Sequence, residues 1–153
     1  MNKKFLFPCL ALVLGAGAGF ATSVMAQAKP DVLVKQRQAV MTLQGKYFGP
    51  LGAMAQGKAP YNAGVVQRNA GFLDNLSRMS WDGFDPSTKG EKSRALPAVY
   101  EAKAKFDQAG SALENEISKL VTVSRSGDEA AVKAQISAVA KVCGGCHNDF
   151  RAK

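Results

Sequence analysis

Val132–Phe150, VKAQISAVAKVCGGCHNDF, is the stretch that decides the fold. Val132, Ile136, Val139, Cys143, Cys146, His147 and Phe150 recur mostly at spacings of three and four, the period of an amphipathic α-helix. The same spacing puts both sulfurs and the imidazole on one helix face. Cys-x-x-Cys-His is the arrangement in which two thiols add to the vinyl groups of a porphyrin and the adjacent imidazole binds its iron. The sequence therefore predicts one haem c per chain, held covalently by Cys143 and Cys146 with His147 as axial iron ligand. His147 is the only histidine among the 153 residues, so a second imidazole ligand is excluded.

Other uses of these residues are weaker. A zinc site needs a further ligand, and Asp149 is the one nearby candidate. A thioredoxin-like dithiol belongs at the start of a helix after a strand, where the helix dipole lowers the thiol pKa, whereas this pair lies near a helix end. A disulfide between positions three apart closes too small a loop to restrict the unfolded chain much. A haem-free Cys-x-x-Cys thiol oxidoreductase stays as the alternative from another functional class.

Three more helical segments precede this one, and none alternates with period two. The first follows Pro30-Asp31, carries Leu33, Val34, Val40, Met41, Tyr47 and Phe48 with Arg37 on the same face, and is expected to weaken or kink near Gly49-Pro50. Asn62 is the expected N-cap of the second, whose stripe is Val65, Phe72, Leu73, Leu76 and Met79 and which should stop near Ser80. Trp81 to Pro97 reads as a long loop. The third begins around Pro97, a first-turn position, with Val99, Phe106, Leu113, Ile117, Leu120 and Val121. Ser126-Gly127-Asp128 ends it and caps the fourth. One tight turn and two longer loops joining four such helices predict an all-α antiparallel bundle, its helices long enough to enclose the haem along one side.

Residues 1–26 read as a cleaved signal peptide: Lys3 and Lys4, an apolar stretch from Phe5 to Phe20, then Val24-Met25-Ala26 as a cleavage site. The apolar stretch is short for a membrane span and contains several glycines. Cys9 leaves with it. Residues 27–153 then form one domain, exported and free of the membrane after cleavage. Without Lys3 and Lys4 the chain keeps 18 basic and 12 acidic residues. They form no Lys/Arg block or aromatic-basic ribbon, which argues against nucleic acid and leaves a basic surface suited to an acidic redox partner. No acid/base pair, nucleophile with its base, or phosphate loop marks an enzyme.

Lys29-Pro30-Asp31, Arg37-Gln38 with Met41, Gly57-Lys58-Ala59-Pro60-Tyr61, Trp81 with Phe84, and the terminal Cys143-x-x-Cys146-His147-x-x-x-Arg151 together resemble cytochrome c′, a class II c-type cytochrome. The resemblance covers essentially all of residues 27–153. It implies an up-down-up-down four-helix bundle enclosing one haem c, and a periplasmic homodimer packed through its first two helices. It also implies a protein for one-electron transfer and for binding nitric oxide or carbon monoxide at five-coordinate iron.

The resemblance places Met41 facing the iron from the side away from His147. There Met41 either packs without bonding or, as in low-spin class II relatives that serve purely as electron carriers, becomes the sixth ligand. Met54 and Met79 are weaker ligand candidates and read as packing residues. Trp81 and Phe84 either close one haem face or belong to generic core. Arg37 either pairs with a haem propionate or reaches solvent at the edge of its stripe. Arg151 either borders the proximal pocket or simply suits a helix C-terminus.

Overall fold

The computed structural model of the chain describes residues 28–153, so the expected signal peptide at 1–26 lies outside the described residues. Four long helices dominate: α1 (Pro30–Ala55), α2 (Ala63–Arg78), α4 (Lys103–Val123) and α5 (Glu129–Phe150), with a one-turn α3 (Ala98–Glu101) ahead of α4. They form an up-down-up-down four-helix bundle in which α1 packs on α2, α2 on α4, α4 on α5 and α5 back on α1. Leu51, Val66, Leu73, Ile117, Leu120, Val132 and Ile136 build its main core. A smaller cluster of Val99, Phe106 and Phe150 sits where α3, α4 and the end of α5 meet. Among the described residues no helix is long and apolar enough to cross a membrane.

α1 continues through Gly49-Pro50, where weakening or a kink was expected, and runs on to Ala55. Lys46, Gly49 and Pro50 all lie on the solvent side, so the carbonyl that loses a donor to proline faces water. On the inner face Leu51 and Met54 are buried and hold the last turn in the core.

α2 begins as expected, with Asn62 Oδ1 accepting from Val65 N at 2.9 Å. Its buried face differs from the predicted stripe. Val66, Asn69, Ala70, Leu73 and Ser77 point inward, while Phe72 and Met79 are 43% and 59% exposed. Two of the inward positions are polar and satisfied locally: Asn69 donates to Tyr47 O at 3.0 Å and Ser77 to Asp74 O at 3.0 Å. Hydropathy alone assigned those positions to the outside.

The third predicted helix is broken at Ala102 (φ −112°, ψ 47°), which separates α3 from α4. The bend lets Val99 join Phe106 and Phe150 and brings the Tyr100 hydroxyl within 2.8 Å of Thr88 Oγ1. The turn into α5 follows the predicted chemistry: Gly127 has φ +78° and Asp128 Oδ1 accepts from Ala131 N at 3.0 Å.

The long α2–α3 connection contains two 3₁₀ turns, Asp82–Phe84 and Pro86–Thr88. Its far end is tied to the chain after α5. Leu96 N donates to Phe150 O at 2.9 Å and Ala152 N to Arg94 O at 2.8 Å, while Arg94 Nη2 and Nε reach Ala152 O at 2.8 and 3.1 Å.

Candidate functional site

A cavity of about 660 Å³ opens between α1 and α5, its walls drawn from both hydrophobic clusters and from the long connection. That is the size of a pocket for a cofactor rather than for a water or an ion. Cys143, Cys146 and His147 all line it from α5. Val139 and Phe150 bury the same face of α5 to either side and thereby fix the rotation that aims these three inward. Met41 and Phe48 line the cavity from α1, Trp81 and Phe84 from the connection, and Phe106, Leu113 and Ile117 from α4.

The two thiols are not joined to each other. Burial pushes both upward in pKa, reinforced by Cys146 for Cys143 and by Asp149 for Cys146. A dithiol used for exchange chemistry needs the opposite shift. His147 is displaced downward, first by burial and then by Arg151 and Arg94, which holds the imidazole neutral and its nitrogen lone pair available to a metal. Asp149, the one candidate for a further zinc ligand, is instead paired with Lys105 at 3.0 Å. Two protonated thiols and one neutral imidazole on the wall of a large apolar cavity fit a covalently attached porphyrin.

Arg37 lines the cavity but does not reach solvent; it is 3% exposed. Its Nη1 donates to Gly83 O at 2.7 Å, Thr88 Oγ1 at 3.1 Å and Tyr100 Oη at 3.2 Å, and Nη2 to Ser93 Oγ at 2.9 Å. The guanidinium also lies 4.5 Å from the centre of the Phe84 ring. Its immediate task is to pin the connection against α1. Gly83 makes that approach possible, since a Cβ there would stand 2.8 Å from Leu33 O.

Trp81 and Phe84 both line the cavity and both pack edge-on against Phe106, with ring centroids 5.8 and 4.9 Å away. Core packing and cavity lining are thus the same placement. Trp81 Nε1 donates to Glu114 Oε1 at 2.5 Å, and its ring rests on Gly110. Met54 is buried in the main core, Met79 is exposed, and Met41 is the methionine at the cavity. Arg151 is exposed at the cavity wall, beside Arg94. Arg94 escaped the sequence reading because nothing in a loop arginine tells that the chain end folds back onto it.

Residues 32–151 match the family model described as cytochrome C′. The chain belongs to the cytochrome c′ family. The cytochrome c′ of Rubrivivax gelatinosus is 36% identical over 126 residues, covering 82% of this chain and 98% of that protein. The cytochrome c′ of Alcaligenes xylosoxydans is 34% identical over 126 residues, with 82% and 98% covered. The crystal structure of the Rubrivivax cytochrome c′ superposes with a TM-score of 0.77 over 81% of this chain and 98% of that one. Variants of the Alcaligenes cytochrome c prime have been solved with nitric oxide and with carbon monoxide bound, and both superpose with a TM-score of 0.76 at 34% identity, over 82% of this chain and 98% of theirs. Cytochromes c′ carry covalent haem c, and this chain retains both thiols for it.

Proposed function

We propose that this chain is a periplasmic cytochrome c′ that transfers single electrons and binds nitric oxide or carbon monoxide at five-coordinate iron. The observation that carries the reading is the convergence of Cys143, Cys146 and His147 on one wall of the cavity between α1 and α5. Cys143 and Cys146 hold the porphyrin through thioethers and His147 is its axial ligand. Haem c supplies a one-electron ferric–ferrous couple and an open coordination position. Met41 lines the cavity from α1 and packs there without bonding, Trp81 and Phe84 close it from the connection, and Arg37 and Arg151 lie among its surroundings. Burial and the two arginines keep His147 unprotonated for its ligand role. No residue is assigned a catalytic task.

Residues 1–26 are read as the export signal and 27–153 as the haem domain. The chain pairs as a homodimer through α1 and α2. Supporting this, Val32 and Leu43 on one face of α1, Phe72 on α2 and Met79 at its C-cap are large apolar side chains left exposed, and the Tyr47 ring lies tilted against that of Phe72 with centroids 4.8 Å apart.

Maturation in a host competent for c-type cytochromes, followed by an absorption spectrum, tests the assignment. High-spin five-coordinate bands that shift on adding carbon monoxide, with colour staying on the polypeptide after acid-acetone extraction, are expected. Low-spin bands that become high-spin in Met41→Ala would instead make Met41 the sixth ligand and the chain a dedicated electron carrier. Bare thiols with no haem bands would leave the thiol oxidoreductase reading.

A further inference from the structure

We propose that the mouth of the cavity is a docking surface for an acidic electron-exchange protein, an inference that rests on the haem reading above. Three charged side chains line the cavity, Arg37, Arg94 and Arg151, and no aspartate or glutamate does. Arg37 is buried and occupied by the connection, but Arg94 and Arg151 are exposed. The link between Ala152 and Arg94 holds two further exposed lysines close by: Lys153 follows Ala152, and Lys92 lies two positions before Arg94.

The surroundings cancel only part of this charge. Of the side-chain carboxylates in the two stretches, Asp149 is bound to Lys105 at 3.0 Å, while Glu91 keeps its charge, because the Lys35 it acts on is already paired with Asp31. Several basic side chains elsewhere are matched in place, as in Lys35–Asp31, Lys119–Glu116 and Lys133–Glu129, while Lys58 and Arg125 at the other end of the bundle are exposed and do not line this cavity. Two haem propionates would offset two positive charges at most. Arg94 and Arg151 on the cavity wall, with Lys92 and Lys153 each two positions away in the chain, therefore leave a net positive field beside the cavity that draws in a partner rimmed with carboxylates.

The test uses mature holoprotein and a reduced plant-type [2Fe–2S] ferredoxin, an acidic donor poised near about −400 mV, with haem reduction followed by anaerobic stopped flow. The second-order rate constant should fall about tenfold or more between 10 and 300 mM salt as charges are screened. Lys92→Glu with Lys153→Glu should lower the rate at low salt about fivefold or more, while Lys58→Glu with Arg125→Glu, the same charge change at the other end of the bundle, should lower it less than about twofold. Reduced lumiflavin, a small neutral donor, should reduce all three proteins equally. A salt-independent rate, or equal slowing by the two double variants, would overturn the docking surface. So would a lumiflavin rate that drops only in the Lys92, Lys153 variant, because those lysines would then shape the haem site rather than steer a partner. Absence of haem bands would remove the underlying assignment instead.

Discussion

Replacing Gly83 by alanine places one methyl group where, of the described glycines, a side chain has least room. The new Cβ would lie 2.6 Å from Arg37 Cβ and 2.8 Å from Leu33 O. Neither neighbour is the free end of a flexible side chain: one is the root of a buried arginine and the other a helix carbonyl. The 3₁₀ turn must therefore retreat from α1 by about 0.8 Å to regain ordinary contact distance. That retreat stretches the Arg37 Nη1 to Gly83 O bond from 2.7 Å to about 3.5 Å, beyond hydrogen-bond range. Overpacking costs about 1–3 kcal/mol and a hydrogen bond to a charged group about 1.5–3 kcal/mol. With some relaxation shared between the two, the expected loss is about 3–5 kcal/mol, a large fraction of the roughly 5–15 kcal/mol that holds a domain folded. In thermal unfolding followed by circular dichroism this corresponds to a drop of about 10–20 °C for a domain of this size. Gly90→Ala, in the same connection with nothing within 4 Å of its Cβ, should change stability by less than about 0.5 kcal/mol. A Gly83→Ala protein melting within about 2 °C of the parent would refute the argument that α1 and the connection meet too closely there for a side chain.

Three further outcomes are expected. Phe72→Glu, which puts a charge on the exposed apolar face shared by α1 and α2, should halve the mass seen by sedimentation at micromolar concentration without changing helicity; an unchanged dimer would place the interface elsewhere. Asn62→Ala removes the side-chain acceptor for Val65 N and should destabilise by about 1 kcal/mol in chemical unfolding, with serine restoring most of it. Glu116 is held below its ordinary pKa by Lys119 and then by Gln135, so its contribution is present above about pH 4.5 and fades as pH falls through the lower folded-state value; the melting difference between parent and Glu116→Gln should shrink over that acid window, and a constant difference would exclude the linkage.

The four long helices were legible because each carries a strong apolar period or a cap whose chemistry is local, as at Asn62 and Asp128. The attachment motif was legible for a similar reason: Cys143, Cys146 and His147 share a helix face by spacing alone. What escaped depends on contacts between segments far apart in the chain. Phe72 and Met79 look like core to any hydropathy scale, and only the register of α2 against its neighbours turns Asn69 and Ser77 inward instead. Pro50 looks like a weak point or kink, yet the packing of Leu51 and Met54 carries α1 past it. Arg37 stood out as a charge on an apolar stripe, but its partners, Gly83, Thr88, Ser93 and Tyr100, lie 46 to 63 positions away. The pairing of Arg94 with the chain end was equally hidden.

The seam between α1 and α5 has a thermodynamic consequence of its own. Of the four main helix pairings, α1–α2, α2–α4 and α4–α5 join neighbouring long helices, whereas α1–α5 closes a ring of roughly a hundred residues, and closing the longest of these loops carries the largest entropic penalty. The cavity straddles that seam, with Met41 and Phe48 on one bank and Cys143 and His147 on the other. A group tethered to α5 and held against α1 would act as a clasp across the join that costs the polypeptide most to make for itself.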